Sequence, residues 1–323
     1  MPASGAELGR RLREGDLTAA PAVLNLVEST TAGDEVAALL REVSPAVLGA
    51  EPKGHLVGIT GPPGVGKSSL LSALVKLWRE DGRTVAVLAV DPSSKRSGGS
   101  LLGDRARIEF DPEDAGVLIR STAAGGRLGG LAPATRAAAQ ALSAAFDVVV
   151  IETVGVGQSE TEVAEVADTV AVVVQPGSGD ALQFIKAGIM EVPDVLVVTK
   201  SDLGDIALRA RRDLSAALRS LGERDKQVVA VSSVAPPTGI DELVAALDTH
   251  RETLDLPGRR ADARRSSALA DFAAEHGERG LRALGGRRAA EKLLADADPG
   301  ADVPALTAAL ERAAGTGGAS NSP

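Results

Sequence analysis

The sequence predicts an α/β domain of three layers, a mostly parallel sheet covered by helices on both faces, with a helical extension at each end. Three observations predict it. Between residue 54 and about 250, β-branched apolar runs alternate with segments of helical periodicity. The runs are apolar nearly throughout, as strands buried on both faces must be. Outside these limits the strand pattern stops, and helical spacing and polar sequence remain.

Residues 1–50 read as an N-terminal helical extension. Ser4 and Glu7 have capping-box spacing, Leu8 and Leu12 share a face, and Val36, Leu39, Leu40 and Val43 recur at helical intervals. Breaks are expected at Gly15-Asp16 and between Thr31 and Asp34. The layer carries no obvious chemistry and is expected to dock on the domain that follows. Within 51–250 the expected strands are Leu56 to Ile59, Thr84 to Val90, Val117 to Ile119, Asp147 to Ile151, Thr169 to Val174, Val195 to Thr199 and Val228 to Val231. Helices are expected near 68–80, 131–145, 180–190, 204–221 and 239–249. In such a sheet, ligand sites gather at the carboxyl ends of the strands.

From 251 to 314 the chain turns to polar, arginine-rich helix. Leu269, Phe272 and Ala273 share one face, and Leu281 with Leu284, then Leu293 with Leu294, mark two further helices. A segment of this kind is expected to bury little alone, so it packs back on the domain or pairs with a second copy. Self-association is the favoured expectation. Residues 315–323 are small and polar and read as a disordered tail.

Composition narrows the function. A chain of 323 residues can bury a sizeable core, and with one Trp and no Tyr that core must be filled by Ala, Val and Leu. The net charge of −9 gives no general reason to expect nucleic-acid or anionic-membrane binding. The absence of cysteine excludes disulfides and thiolate metal sites. The first residues lack the blocks of a signal peptide, and no apolar run approaches bilayer length, so a soluble cytoplasmic protein is expected.

The chemistry centres on Gly61, Pro62, Pro63, Gly64, Val65, Gly66, Lys67, Ser68 and Ser69, which follow a predicted strand and open a predicted helix. This is the phosphate-binding pattern GxxxxGK[ST]. Its glycines bring backbone N–H groups close to phosphate oxygens, Lys67 faces the β- and γ-phosphates, and Ser68 offers a hydroxyl to Mg²⁺. Glu152 ends the apolar run that starts at Asp147, and Gly155 follows three residues later. In P-loop proteins such an acid holds Mg²⁺, directly or through water, and such a glycine senses the γ-phosphate. The loop from Asp91 to Asp104 is polar and glycine-rich, and its two end acids are candidates for metal coordination or water positioning. A further glycine-rich loop runs from Gln175 to Lys186, either a plain strand-to-helix turn or a third moving element.

Base choice is written in Thr199, Lys200, Ser201 and Asp202, similar to the NKxD element that recognises guanine. A carboxylate at 202 accepts hydrogen bonds from guanine N1–H and the 2-amino group, a donor pair that adenine lacks. Each lost charged bond costs about 1.5–3 kcal/mol, a preference on the order of a hundredfold. GTP and GDP are therefore the expected ligands. Thr199 replaces asparagine, and its shorter hydroxyl is expected to hold the base less firmly. Ser232, Ser233 and Val234 end another run, where a backbone N–H would meet guanine O6. Val156 follows Gly155 where small signalling GTPases place a glutamine, so hydrolysis is expected to be slow unless a partner or Gln158 completes the site.

Together these stretches resemble the MeaB/ArgK family of methylmalonyl-CoA mutase-associated GTPases, of the SIMIBI class of P-loop proteins. The resemblance rests on 61–69, 90–108, 125–135, 152–160, 179–194 and 199–202, and is close over about 50–250. It implies a three-layer P-loop NTPase domain and a GTPase chaperone of an adenosylcobalamin-dependent acyl-CoA mutase. Nucleotide hydrolysis would gate delivery of cofactor from an adenosyltransferase and help to eject damaged cobalamin. The loops 91–104, 152–160 and 175–186 would be three switches, and the helices after 251 a homodimerisation arm. Arg127, where the family commonly has histidine, and Ala181, in place of an acid, depart from the pattern. Two other readings compete. A P-loop kinase for a small molecule needs an acceptor pocket and lid, for which the sequence offers no clear signature. A nickel-loading GTPase needs Cys or His clusters, and His55, His250 and His276 are far apart in the sequence.

Overall fold

The computed structural model describes residues 3–29, 31–91, 108–123, 131–153, 162–177 and 193–315. The chain forms two compact units, one of Gly54–Thr135 and Phe146–Leu254, the other of Met1–Lys53, Arg136–Ala145 and Asp255–Pro323.

The first unit is built on seven strands: β1 His55–Thr60, β2 Val85–Asp91, β3 Val117–Ala123, β4 Val148–Glu152, β5 Thr169–Val174, β6 Val195–Val198 and β7 Gln227–Ala230. They lie in the order β3-β2-β4-β1-β5-β6-β7, and every pairing is parallel. Each expected strand is present. Every residue of β1, β4, β5 and β6 is buried, which is why those runs carry so little polar alternation. The outermost β7 is partly exposed. Helices Lys67–Glu80, Asp205–Ser220 and Ile240–Thr253 match three of the expected five, and Pro133–Leu142 is shorter than the expected 131–145. The expected helix at 180–190 lies outside the described residues.

Valine, leucine and isoleucine supply most of the sheet's core. Leu70, Leu71, Leu74, Val75 and Trp78 of the helix Lys67–Glu80 pack with Val57, Ile59, Val150 and Val173. Each such side chain contributes about 1.5–3 kcal/mol when fully buried. This packing fixes the start of the helix, and so the loop before it, against β1.

The amino ends of the strands are closed by aspartates. Asp168 Oδ2 accepts the Leu56 N–H at 2.9 Å, Asp194 Oδ2 accepts the Val170 N–H at 2.8 Å, and Asp147 Oδ2 accepts both the N–H and hydroxyl of Thr84 at 2.8 Å. Arg79 holds Asp114 through two bonds of 2.8 and 2.9 Å. That hydrogen bond, with a backbone one from Gly116, keeps the Asp114 carboxyl below its ordinary value.

In the second unit Ser4 accepts the Glu7 N–H at 3.2 Å, so the capping spacing at the start is real. The C-terminal helices are Leu256–Ala283, broken at Gly277 (φ 58°, ψ −161°), then Arg287–Ala295 and Val303–Ala314. Their burial corrects the sequence expectation. Leu269, Phe272, Leu281, Leu294, Leu306 and Leu310 form a core of their own, because three helices meet where the periodicity of one suggested only a narrow stripe. Arg264 forks onto Glu51 at 2.7 and 2.9 Å, with both side chains only 9 % exposed. Arg136 pairs with Asp271, whose carboxyl is pushed up by burial, partly offset by the Arg136 charge. No helix among the described residues is long and apolar enough to cross a membrane.

Candidate nucleotide site

The phosphate loop leaves the carboxyl end of β1, in the middle of the sheet. Gly61 has φ 152°, and a Cβ there would stand 2.2 Å from the Val173 carbonyl oxygen on β5, so only glycine fits. Val65 is buried and anchors the loop in the core, whereas Pro63, Gly64 and Ser69 are exposed and Pro62, Gly66 and Ser68 half-buried. Gly66 precedes Lys67, and the helix has no side-chain cap on its first turn. Its first N–H groups and the helix dipole therefore favour an anion at this end. Lys67 is buried, and its Nζ donates to the carbonyls of Gly61 at 2.6 Å and Pro62 at 3.1 Å. The ammonium thus stands across the mouth of the loop.

Glu152 ends β4, is buried, and lies in register with Ile59 of β1 and Ala89 of β2. The next residue, Thr153, donates its N–H to Ile59 O at 2.9 Å. This places the acid two residues short of Gly61 on the neighbouring strand. Asp91 is the last residue of β2, two beyond the partner of Glu152. The hydroxyls of Thr60 and Thr153 are buried with no hydrogen-bond partner among the described residues. Asp104 and Gly155 lie outside the described residues, as do Arg127, Val156, Gln158 and Ala181 and most of the three loops read as switches.

The base elements come from the ends of β6 and β7. Asp202 Oδ1 accepts the Ser232 hydroxyl at 2.6 Å, Ser232 Oγ accepts the Val234 N–H at 3.2 Å, and Ser201 N–H donates to Val231 O at 3.0 Å. Two stretches 30 residues apart in sequence are thus joined, with the Asp202 side chain exposed. Lys200 takes φ 55°, rare for a residue with a side chain, and its ammonium donates to Gln175 Oε1 at 2.6 Å. Thr199 makes a link that its residue type did not announce. Its hydroxyl donates to Val65 O at 2.7 Å, with Val174 O at 3.1 Å, so it reaches the phosphate loop. Sequence reasoning missed this link because the partner is a backbone carbonyl, which no residue type announces. Ser69 and Ser233 also line a cavity of about 780 Å³ that runs past Lys76 and Phe110.

A phosphate loop at the centre of a parallel sheet, with an acid at the end of the next strand, defines a P-loop nucleotide-binding protein. The family model described as methylmalonyl Co-A mutase-associated GTPase MeaB matches residues 20–279, and the chain belongs to that family of GTPases. It is 38 % identical over 273 residues to the GTPase ArgK of Escherichia coli, covering 82 % of this chain and 81 % of that protein. It is 41 % identical over 221 residues to the mitochondrial methylmalonic aciduria type A homolog of Caenorhabditis elegans, covering 64 % of this chain and 54 % of that protein. Among solved structures, a crystal structure described as LAO/AO transport system kinase superposes with a TM-score of 0.63 at 30 % identity, over 90 % of this chain and 88 % of that one.

Proposed function

We propose that this chain is a guanine-nucleotide switch serving an adenosylcobalamin-dependent acyl-CoA mutase, methylmalonyl-CoA mutase first among them. In this reading GTP binding and hydrolysis gate cofactor loading from an adenosyltransferase in the cytoplasm, and protect or reactivate the mutase. The observation that carries the nucleotide half is Asp202, held by Ser232 beside the Val234 N–H with its carboxylate exposed. The mutase half is supported by the family's description and by the name of the worm relative.

Each residue then has a task. Backbone N–H groups of 61–69 hold the β-phosphate, and Lys67 exchanges the Gly61 and Pro62 carbonyls for β- and γ-oxygens. Asp202 accepts from guanine N1–H and the 2-amino group, and the turn of Ser232, Ser233 and Val234 offers an N–H to O6. Lys200, pinned by Gln175, lies along the base. Ser68, Glu152 and Asp91 offer the hard oxygen donors that suit Mg²⁺, with Glu152 at the end of β4 and Ser68 in the first turn of the helix that follows the phosphate loop. When bound, Mg²⁺ neutralises charge that develops between the β- and γ-phosphates. Asp104 and Gly155 complete the switch loops in this reading, and the helices of 251–314 form the homodimer contact.

Calorimetry with GTP, GDP and ATP, followed by hydrolysis assays with and without the mutase, tests the proposal. Tight guanine and weak adenine binding, with turnover raised by the mutase, is expected. Equal ATP binding removes the role of Asp202. A phosphorylated small-molecule product would move the protein to the kinases.

A further inference from the structure

Thr199 joins the base-reading turn to the phosphate loop with a single proton. Its residue is 4 % exposed, and its hydroxyl lies 2.7 Å from Val65 O and 3.1 Å from Val174 O. The Val174 carbonyl already accepts the Thr199 N–H at 2.9 Å, so Val65 O is the principal acceptor of the hydroxyl. A hydroxyl has one hydrogen to give. With that hydrogen on the phosphate loop, the side chain has no donor left for a purine. An asparagine amide has two hydrogens and can serve a loop carbonyl and a ring nitrogen together.

We infer that Thr199 is a positioning residue that fastens the turn carrying Asp202 to the phosphate loop, and that guanine is read here on its Watson–Crick edge without a hydrogen bond to N7. The inference rests on the assignment of guanine to Asp202. Its consequence is a division of labour. Asp202 selects the base by contact, whereas Thr199 sets the distance between base and phosphate subsites through Val65, itself buried in the core. Removing the hydroxyl would leave Val65 O buried without that donor, which weakens every nucleotide alike.

Calorimetry on the full chain with GDP, 7-deaza-GDP and inosine diphosphate tests it. The 7-deaza analogue replaces N7 by C–H, and inosine lacks the 2-amino group. Binding of 7-deaza-GDP within about twofold of GDP, with inosine diphosphate weaker by about tenfold or more, is expected. A loss of about tenfold or more with 7-deaza-GDP, while inosine diphosphate is also weak, overturns the inference and leaves Asp202 in place. Inosine diphosphate that binds like GDP overturns the Asp202 reading and this inference with it.

Variants at 199 give a second readout. Thr199→Val should weaken GDP and 7-deaza-GDP by the same factor, about fivefold or more, and Thr199→Ser should restore both. Thr199→Asn should raise the preference for GDP over 7-deaza-GDP above that of the native chain. Unchanged affinity in a folded Thr199→Val removes the fastening role. If that variant does not fold, the comparison of analogues on the native chain decides alone.

Discussion

The amino and carboxyl edges of the seven-stranded sheet, where its strands begin and end, carry different polar residues and use them in opposite ways. At the amino edge, Asp147, Asp168 and Asp194 take backbone N–H groups from neighbouring strands, and Arg79 holds Asp114. A continuous run also links His55 to Thr169 at 2.8 Å, Thr169 to His250 at 2.9 Å and His250 to Asp194 at 3.3 Å. At the carboxyl edge, the hydroxyls of Thr60, Ser121 and Thr153 are buried without a partner among the described residues. Lys200 adopts an unfavourable backbone angle there, and Gly61 admits no Cβ. At the first edge these groups find their partners within the fold. The other bears polar groups without a partner among the described residues, and backbone strain, the features that persist where binding compensates for them.

Four substitutions sharpen or break this contrast. The largest effect is expected from Lys67→Ala, which should lower GTP affinity by about a hundredfold or more while moving the melting temperature little, read by calorimetry and thermal unfolding. Glu152→Ala comes next. Magnesium-dependent hydrolysis should fall by about a hundredfold, with GDP binding and fold retained. Normal hydrolysis would pass the metal role to Asp91 and Asp104.

Smaller and opposite in kind is Asp168→Ala at the amino edge. Its loss leaves the Leu56 N–H without this acceptor and should reduce unfolding free energy by about 1–3 kcal/mol in a denaturant titration. GDP affinity of the folded variant should stay within about twofold, and a joint loss would mean that the edges are not separable. The smallest effect concerns acid stability. Asp114 is held below its ordinary value chiefly by the Arg79 hydrogen bond. Its contribution is therefore present above the unfolded carboxyl value and lost as pH falls through the lowered native one. Below pH about 4, Asp114→Asn should lose less melting temperature than the native chain.

Much of this was legible in the sequence. Buried parallel strands announce themselves by continuous apolar runs, and β1, β4, β5 and β6 are buried at every position. The phosphate loop was legible because its glycines and lysine are fixed by backbone geometry and charge. The link between Asp202 and Ser232 was foreshadowed only by two strand ends, since pairing of β6 with β7 is what brings them together. Three things were hidden. The Thr199 bond ends on a backbone carbonyl, the core of the C-terminal helices depends on how three helices meet, and aspartates that close strands look like ordinary loop acids.

Guanine selection at the carboxyl edge is tested most directly by the nucleotide preference of Asp202→Asn. An amide sets an NH2 donor beside an acceptor oxygen, which match the C2 carbonyl and N1–H of xanthine in place of the two donors of guanine. Calorimetry with GDP and xanthosine diphosphate should show GDP weaker by about a hundredfold and xanthosine diphosphate now the tighter ligand. GDP affinity unchanged by the substitution would contradict the assignment of the base to Asp202.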